Sequence, residues 1–142
     1  MRFHAAAFLI GLAAATGVLS AQPPTKVRHV PLTPTSPASG QEMFAAYCAV
    51  CHGPDGKGNG PAAPALKTVP ANLARLAASH NGTFPENRVF GILSGSIEVN
   101  AHGSSEMPLW GTLLRNLSQG DLNKINLRVA NLTSYVKSLQ AK

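Results

Sequence analysis

Cys48-Ala49-Val50-Cys51-His52 is the stretch on which the reading of this chain turns. Cys48 and Cys51 are the chain's two cysteines. On a helix, residues three apart lie on the same side, about one turn from each other. A disulfide between them would close a tiny loop, and such a loop removes little entropy from the unfolded chain. A structural zinc would need four converging ligands, whereas His29, His80 and His102 are isolated and there is no second cysteine pair. A thioredoxin-like redox site would need a βαβ surround, and no segment alternates long enough to argue for a sheet. Two thiols at this spacing can add to the two vinyl groups of one haem, with the adjacent imidazole held beneath the iron. C-x-x-C-H is read as covalent haem attachment for that reason. Cys48 and Cys51 are therefore the expected attachment points of one haem c, and His52 the expected proximal ligand.

Such a histidine needs its second ring nitrogen held, commonly by a backbone carbonyl. In the loop that follows, Gly60-Pro-Ala-Ala-Pro64 offers Pro61 or Pro64 to fix one, and the sequence does not choose between them. For the sixth ligand the candidates thin out quickly. Met1 leaves with the leader described below, and Met43 lies five residues before Cys48 on the attachment helix. Met107 remains, in Ser104-Ser-Glu-Met-Pro-Leu-Trp-Gly111, a segment without regular periodicity. Pro108 restricts Met107 to an extended backbone, which suits a loop presenting a thioether. His102 is the alternative ligand in the same region.

Working outward to the N-terminus, Arg2 precedes a run without charge from Ala5 to Val18, and Leu19-Ser-Ala21 supplies small residues. That is the layout of a secretory signal peptide over 1–21. The run is short and poor in large apolar residues for a membrane span, so membrane association is expected only if the leader is uncleaved. Export places the protein in the periplasm. Residues 22–38 carry Pro31, Pro34 and Pro37 at the three-residue period of polyproline II and read as a linker. The domain is then 39–142.

Within it, Ser39 and Glu42 form a capping box for a helix over Gly40 to Cys48. Pro70 can open a short helix through Ala78. Thr83-Phe-Pro-Glu86 repeats the capping pattern for a helix running to about Ser94, with Gly95 as its stop. Leu122, Ile125, Val129, Leu132, Val136 and Leu139 make one apolar helical stripe. The fold class is all-α, several short helices with long loops. Aromatics are only 6% of the chain, and so thin a core calls for a cofactor to pack around.

Lys and Arg outnumber Asp and Glu by 12 to 6, a formal +6, which becomes +5 when Arg2 leaves with the leader. The positive residues are scattered, with no basic cluster interleaved with aromatics, so nucleic acid is not an expected partner. Redox proteins are; the scattered charges read as a solvated, mildly basic surface, and the functional alternative is docking to an acidic one.

The order of helix, C-x-x-C-H, long loop, short helices, Met-Pro loop and amphipathic terminal helix resembles the class I cytochromes c. The likeness is nearest to the small periplasmic bacterial ones, through Cys51-His-Gly-Pro-Asp-Gly-Lys-Gly-Asn-Gly-Pro61 and His102-Gly-Ser-Ser-Glu-Met-Pro-Leu-Trp-Gly111. It covers the domain from Ser39 to Gln140. The resemblance implies a first helix crossing the last, with Gly40 and Phe44 facing Tyr135, and Trp110 beside the haem. Asn131 and Thr133, polar residues on the last helix, are expected to face water. His/Met ligation implies a closed iron and a carrier of single electrons. A cytochrome subunit of a larger respiratory or dehydrogenase complex is the alternative. A haem sensor or peroxidase is less favoured, because it would need an open coordination position.

Overall fold

The computed structural model describes residues 33–97 and 110–141. The leader, most of the linker, His29, His102 and Met107 lie outside the described residues. Among those described, every regular element is helical. α1 (Gly40–Met43) passes through one π turn (Phe44–Cys48) into α2 (Ala49–His52). Single 3-10 turns follow at Ala63–Ala65, Leu73–Arg75 and Ala78–His80. Then come α3 (Glu86–Ser94), α4 (Trp110–Leu117) and α5 (Leu122–Ser138).

The first helix starts where the sequence places it: Ser39 Oγ accepts from the Glu42 N–H at 3.1 Å. The Glu42 carboxylate, however, reaches outward to the Ser36 N–H. The helical path also continues past Cys48 to His52, so both thiols and the imidazole share one element. At its centre the Ala49 N–H bonds to the Phe44 carbonyl, five residues back. Such π turns are rare and concentrate at functional sites; here the turn ends on Cys48.

α5 is capped by Asp121, whose carboxylate accepts from the N–H groups of Asn123 and Lys124 at 3.0 and 3.2 Å. Of its apolar stripe, Ile125, Val129, Leu132 and Val136 are buried and Leu139 is half-buried. Leu122, in the first turn, is exposed. α1, α3 and α4 all pack on α5, so more than one stripe is covered. Thr133, expected in water, is instead fully buried, and Asn131 is half-buried with its amide donating to the Pro37 carbonyl at 2.9 Å.

α1 crosses α5 at Gly40, where a β-carbon would collide with the Asn131 carbonyl and come within 2.8 Å of Tyr135 Cβ. That closeness seats the Phe44 ring against Tyr135, centroids 5.3 Å apart.

Other expectations are revised. Pro70 opens no helix: residues 70–72 have no regular structure, and two 3-10 turns follow. α3 lacks the Thr83 cap, starting after Pro85 without a side-chain bond, but it ends at Gly95 as expected. α4 had no sequence signal, and it begins at Trp110. The tail of the supposed linker is docked. Thr35 is buried, its hydroxyl 2.9 Å from Tyr47 Oη, which donates to the Thr33 carbonyl at 2.7 Å.

Gly40→Ala has to push α1 off a backbone carbonyl rather than off a flexible side chain. It should cost about 2–3 kcal/mol, the upper part of the usual range for overpacking, read as a lowered denaturation midpoint of the holoprotein at unchanged slope.

Candidate haem site

α2 ends by folding its own loop back beneath it. The carbonyls of Val50, Cys51 and His52, which the helix leaves without partners, accept from the N–H groups of Ala62, Gly60 and Gly58 at 2.9, 3.0 and 2.7 Å. Only glycine fits at two of these points. A β-carbon on Gly60 would stand 2.6 Å from the Ala49 carbonyl oxygen, and Gly58, at φ 84°, lies against the Pro70 carbonyl. The next strand of loop is anchored by the Leu73 N–H on the Gly56 carbonyl at 2.7 Å. Together these contacts bring residues 70–73 beside the histidine.

The result is a hydrogen bond of 3.0 Å between His52 Nδ1 and the Ala71 carbonyl. A carbonyl can only accept, so the proton sits on Nδ1 and the ring's lone pair on Nε2. Neither Pro61 nor Pro64 supplies this carbonyl. The Gly-Pro-Ala-Ala-Pro segment is spent on the carbonyl end of α2, and the holder is Ala71, next to Pro70. Burial pushes the His52 imidazole below its ordinary pKa, partly offset by the bond with Ala71. The neutral ring that a metal ligand requires is thereby favoured.

His52 and Cys48 share the wall of a cleft whose empty space, open mouth included, is about 940 Å³. Its remaining walls are apolar: Phe44, Val89 and Leu93 from the flanking helices, Leu132 and Val136 from α5, and Trp110 at the start of α4. The charged or titratable side chains on the lining besides Cys48 and His52 are His80 and Arg88, both exposed. A flat apolar ring with a polar edge fits such a lining. Met43 lines no part of it; it is fully buried elsewhere, its sulfur 3.6 Å from an Arg128 nitrogen.

No disulfide joins Cys48 to Cys51. Burial, with Cys51 adding to it, pushes the Cys48 thiol up to about 12. The thiolate needed for disulfide exchange is disfavoured accordingly. Among the described residues no cluster of three or more His, Cys, Asp or Glu side chains gathers to hold a metal ion.

A model of the cytochrome c family matches residues 37–109, a span that takes in the C-x-x-C-H stretch and Met107. The chain belongs to the cytochrome c family. No curated protein and no solved structure matches it. Its fold is the all-α class I cytochrome c fold, its cofactor is one covalently bound haem c, and Cys48 and Cys51 fit the attachment motif. Haem-based electron transfer is the activity of the family. Trp110, placed beside the haem by resemblance, lines the cleft, and its ring centroid lies 6.4 Å from that of Tyr47.

If both thiols are attachment points, Cys48→Ala and Cys51→Ala should each keep one thioether, and the double variant none. Haem staining after denaturing electrophoresis checks this; stain surviving in the double variant would refute the assignment.

Proposed function

We propose that this cytochrome c shuttles single electrons between redox proteins of the periplasm, with Cys48 and Cys51 bonded to the haem and His52 and Met107 as its axial ligands. The observation that carries the reading is the His52 ring, fixed by Ala71 on the same apolar wall as Cys48. The haem supplies a one-electron couple at its iron. What the chain does is hold that couple still and dry. The two thiols set the ring's position, and the Ala71 carbonyl sets the orientation and basicity of the imidazole. Phe44, Leu132, Val136 and Trp110 exclude water from the ring. With both axial positions filled by protein, no coordination site is open to substrate, which separates a carrier from a peroxidase or gas sensor.

A thioether opposite histidine raises the potential. Met107→Ala should therefore admit carbon monoxide to the ferrous protein, lower the potential and abolish the weak sulfur-to-iron charge-transfer band of the ferric form. His102→Ala should change none of these. Loss of six-coordination in His102→Ala alone would transfer the role to His102.

The excess of Lys and Arg supports an acidic docking partner. Exposed charges are screened beyond a Debye length of about 8 Å at physiological salt. The electron-transfer rate with such a partner should fall steadily as ionic strength rises; a flat or rising rate would make the basic surface incidental.

A further inference from the structure

Arg128 lies on α5 with only 4% of its surface exposed. Its Nε donates to Ser118 Oγ at 3.2 Å, and one terminal nitrogen to Thr35 Oγ1 at 3.1 Å and to the Met43 sulfur at 3.6 Å. All three acceptors are neutral. The described carboxylates are engaged elsewhere: Asp55 with Lys57, Glu86 with Lys137, Asp121 with Lys124, and Glu42 with the Ser36 N–H. Guanidinium is permanently charged, and buried charges are ordinarily paired because leaving water costs so much. Among the described residues, the positive charge is held inside the fold by hydroxyl and thioether partners alone.

Its position gives that charge a use. Arg128 stands one helical turn before Leu132 and two before Val136, both of which line the haem cleft. Its acceptor Met43 precedes Phe44 on the opposite wall, and Thr35 bonds to Tyr47, the neighbour of Cys48. Along the helix axis Arg128 stands about 6 Å before Leu132, the first lining residue of α5, and its guanidinium is packed against Thr35 and Met43. No salt screens it there, and the low dielectric extends its field.

Ferric haem carries one more positive charge than ferrous haem. We infer that Arg128 sets the reduction potential: its buried, uncompensated charge disfavours the ferric form and raises the potential beyond what the axial ligands give. The inference rests on the electron-carrier reading, since it presumes a haem in the cleft. The reaction it biases is simple, one electron passing from a donor protein to ferric iron with no bond made or broken.

Potentiometric titration of the holoprotein at pH 7 tests it, with haem stain and optical spectrum confirming loading and ligation in each variant. Arg128→Met removes the charge at similar volume. Thr35→Asp keeps Arg128 and neutralises it in place, on an atom already bonded to it; Thr35→Asn is the matched neutral control. Both charge-cancelling variants should raise the ferric-to-ferrous ratio at fixed ambient potential at least threefold, about 28 mV at 59 mV per tenfold for one electron. Arg128→Lys and Thr35→Asn should stay near wild type. Lys124→Gln, which removes an exposed charge on the same helix, should do so too. A potential unmoved in Thr35→Asp, or moved equally by Lys124→Gln, overturns the inference while leaving the electron carrier intact. If Arg128→Met fails to load haem, the Thr35 pair decides. Failure of both Arg128→Met and Thr35→Asp to load would make Arg128 a folding residue and likewise overturn it. Absence of haem from the wild type would instead remove the carrier reading.

Discussion

The hydrogen bond between His52 Nδ1 and the Ala71 carbonyl is short work for two atoms but a large constraint on the chain. It joins the end of the attachment helix to a segment nineteen residues away. Everything between has to return to the underside of one ring. The loop does so by donating its own N–H groups to the last carbonyls of α2, with Gly58 and Gly60 at the two points where a β-carbon would strike backbone. One set of contacts thus closes the helix, tethers the loop and orients the imidazole. A carbonyl holding the second nitrogen raises the basicity of the first, so on the ligation proposed above the same geometry that terminates a helix prepares a metal ligand.

Around that fixed ring the helices build a socket rather than a filled core. α5 serves two neighbours at once. Asn131 and Tyr135 meet α1 at the Gly40 crossing, while Leu132 and Val136 face the cleft. Phe44 does the same from the other side, its ring tilted against Tyr135 while it lines the cleft. A domain this poor in aromatics gains much of its apolar contact from the cofactor. Burial of Thr133 with an unpartnered hydroxyl oxygen shows how little spare surface α5 has left.

What was legible in the sequence is what chemistry or strict local period writes there. Cys48, Cys51 and His52 are adjacent in the chain, so their joint role needs no tertiary knowledge. The α5 stripe repeats over enough turns to be unambiguous, and Ser39 and Gly95 bound their helices by local bonds. The missed features depend on partners distant in sequence. Ala71 carries no side-chain signal for holding His52, because a backbone carbonyl is available at every residue. α4 follows the Met-Pro segment with no cap or long period to announce it. Thr35 looked like linker because Pro31, Pro34 and Pro37 set the local rhythm, whereas Tyr47, Asn131, Arg128 and Glu42 fasten that stretch to the domain. Arg128 itself reads as one more basic residue on a helix until α1, α4 and the N-terminal segment enclose it.

The positive charges of this protein consequently divide by what they can influence. Lys57, Lys124 and Lys137 stand in solvent with carboxylates 2.8, 3.5 and 2.7 Å away. Exposed pairs of this kind contribute little to stability, and what field they project is screened within a Debye length. Their influence falls on approaching partners. The charge of Arg128 is held where partners and salt do not reach, among the residues that back the haem cleft. On the carrier and the Arg128 role proposed above, docking and driving force fall to different residues in different dielectric surroundings. Changes on the surface can alter which protein this one meets without altering how strongly it holds its electron.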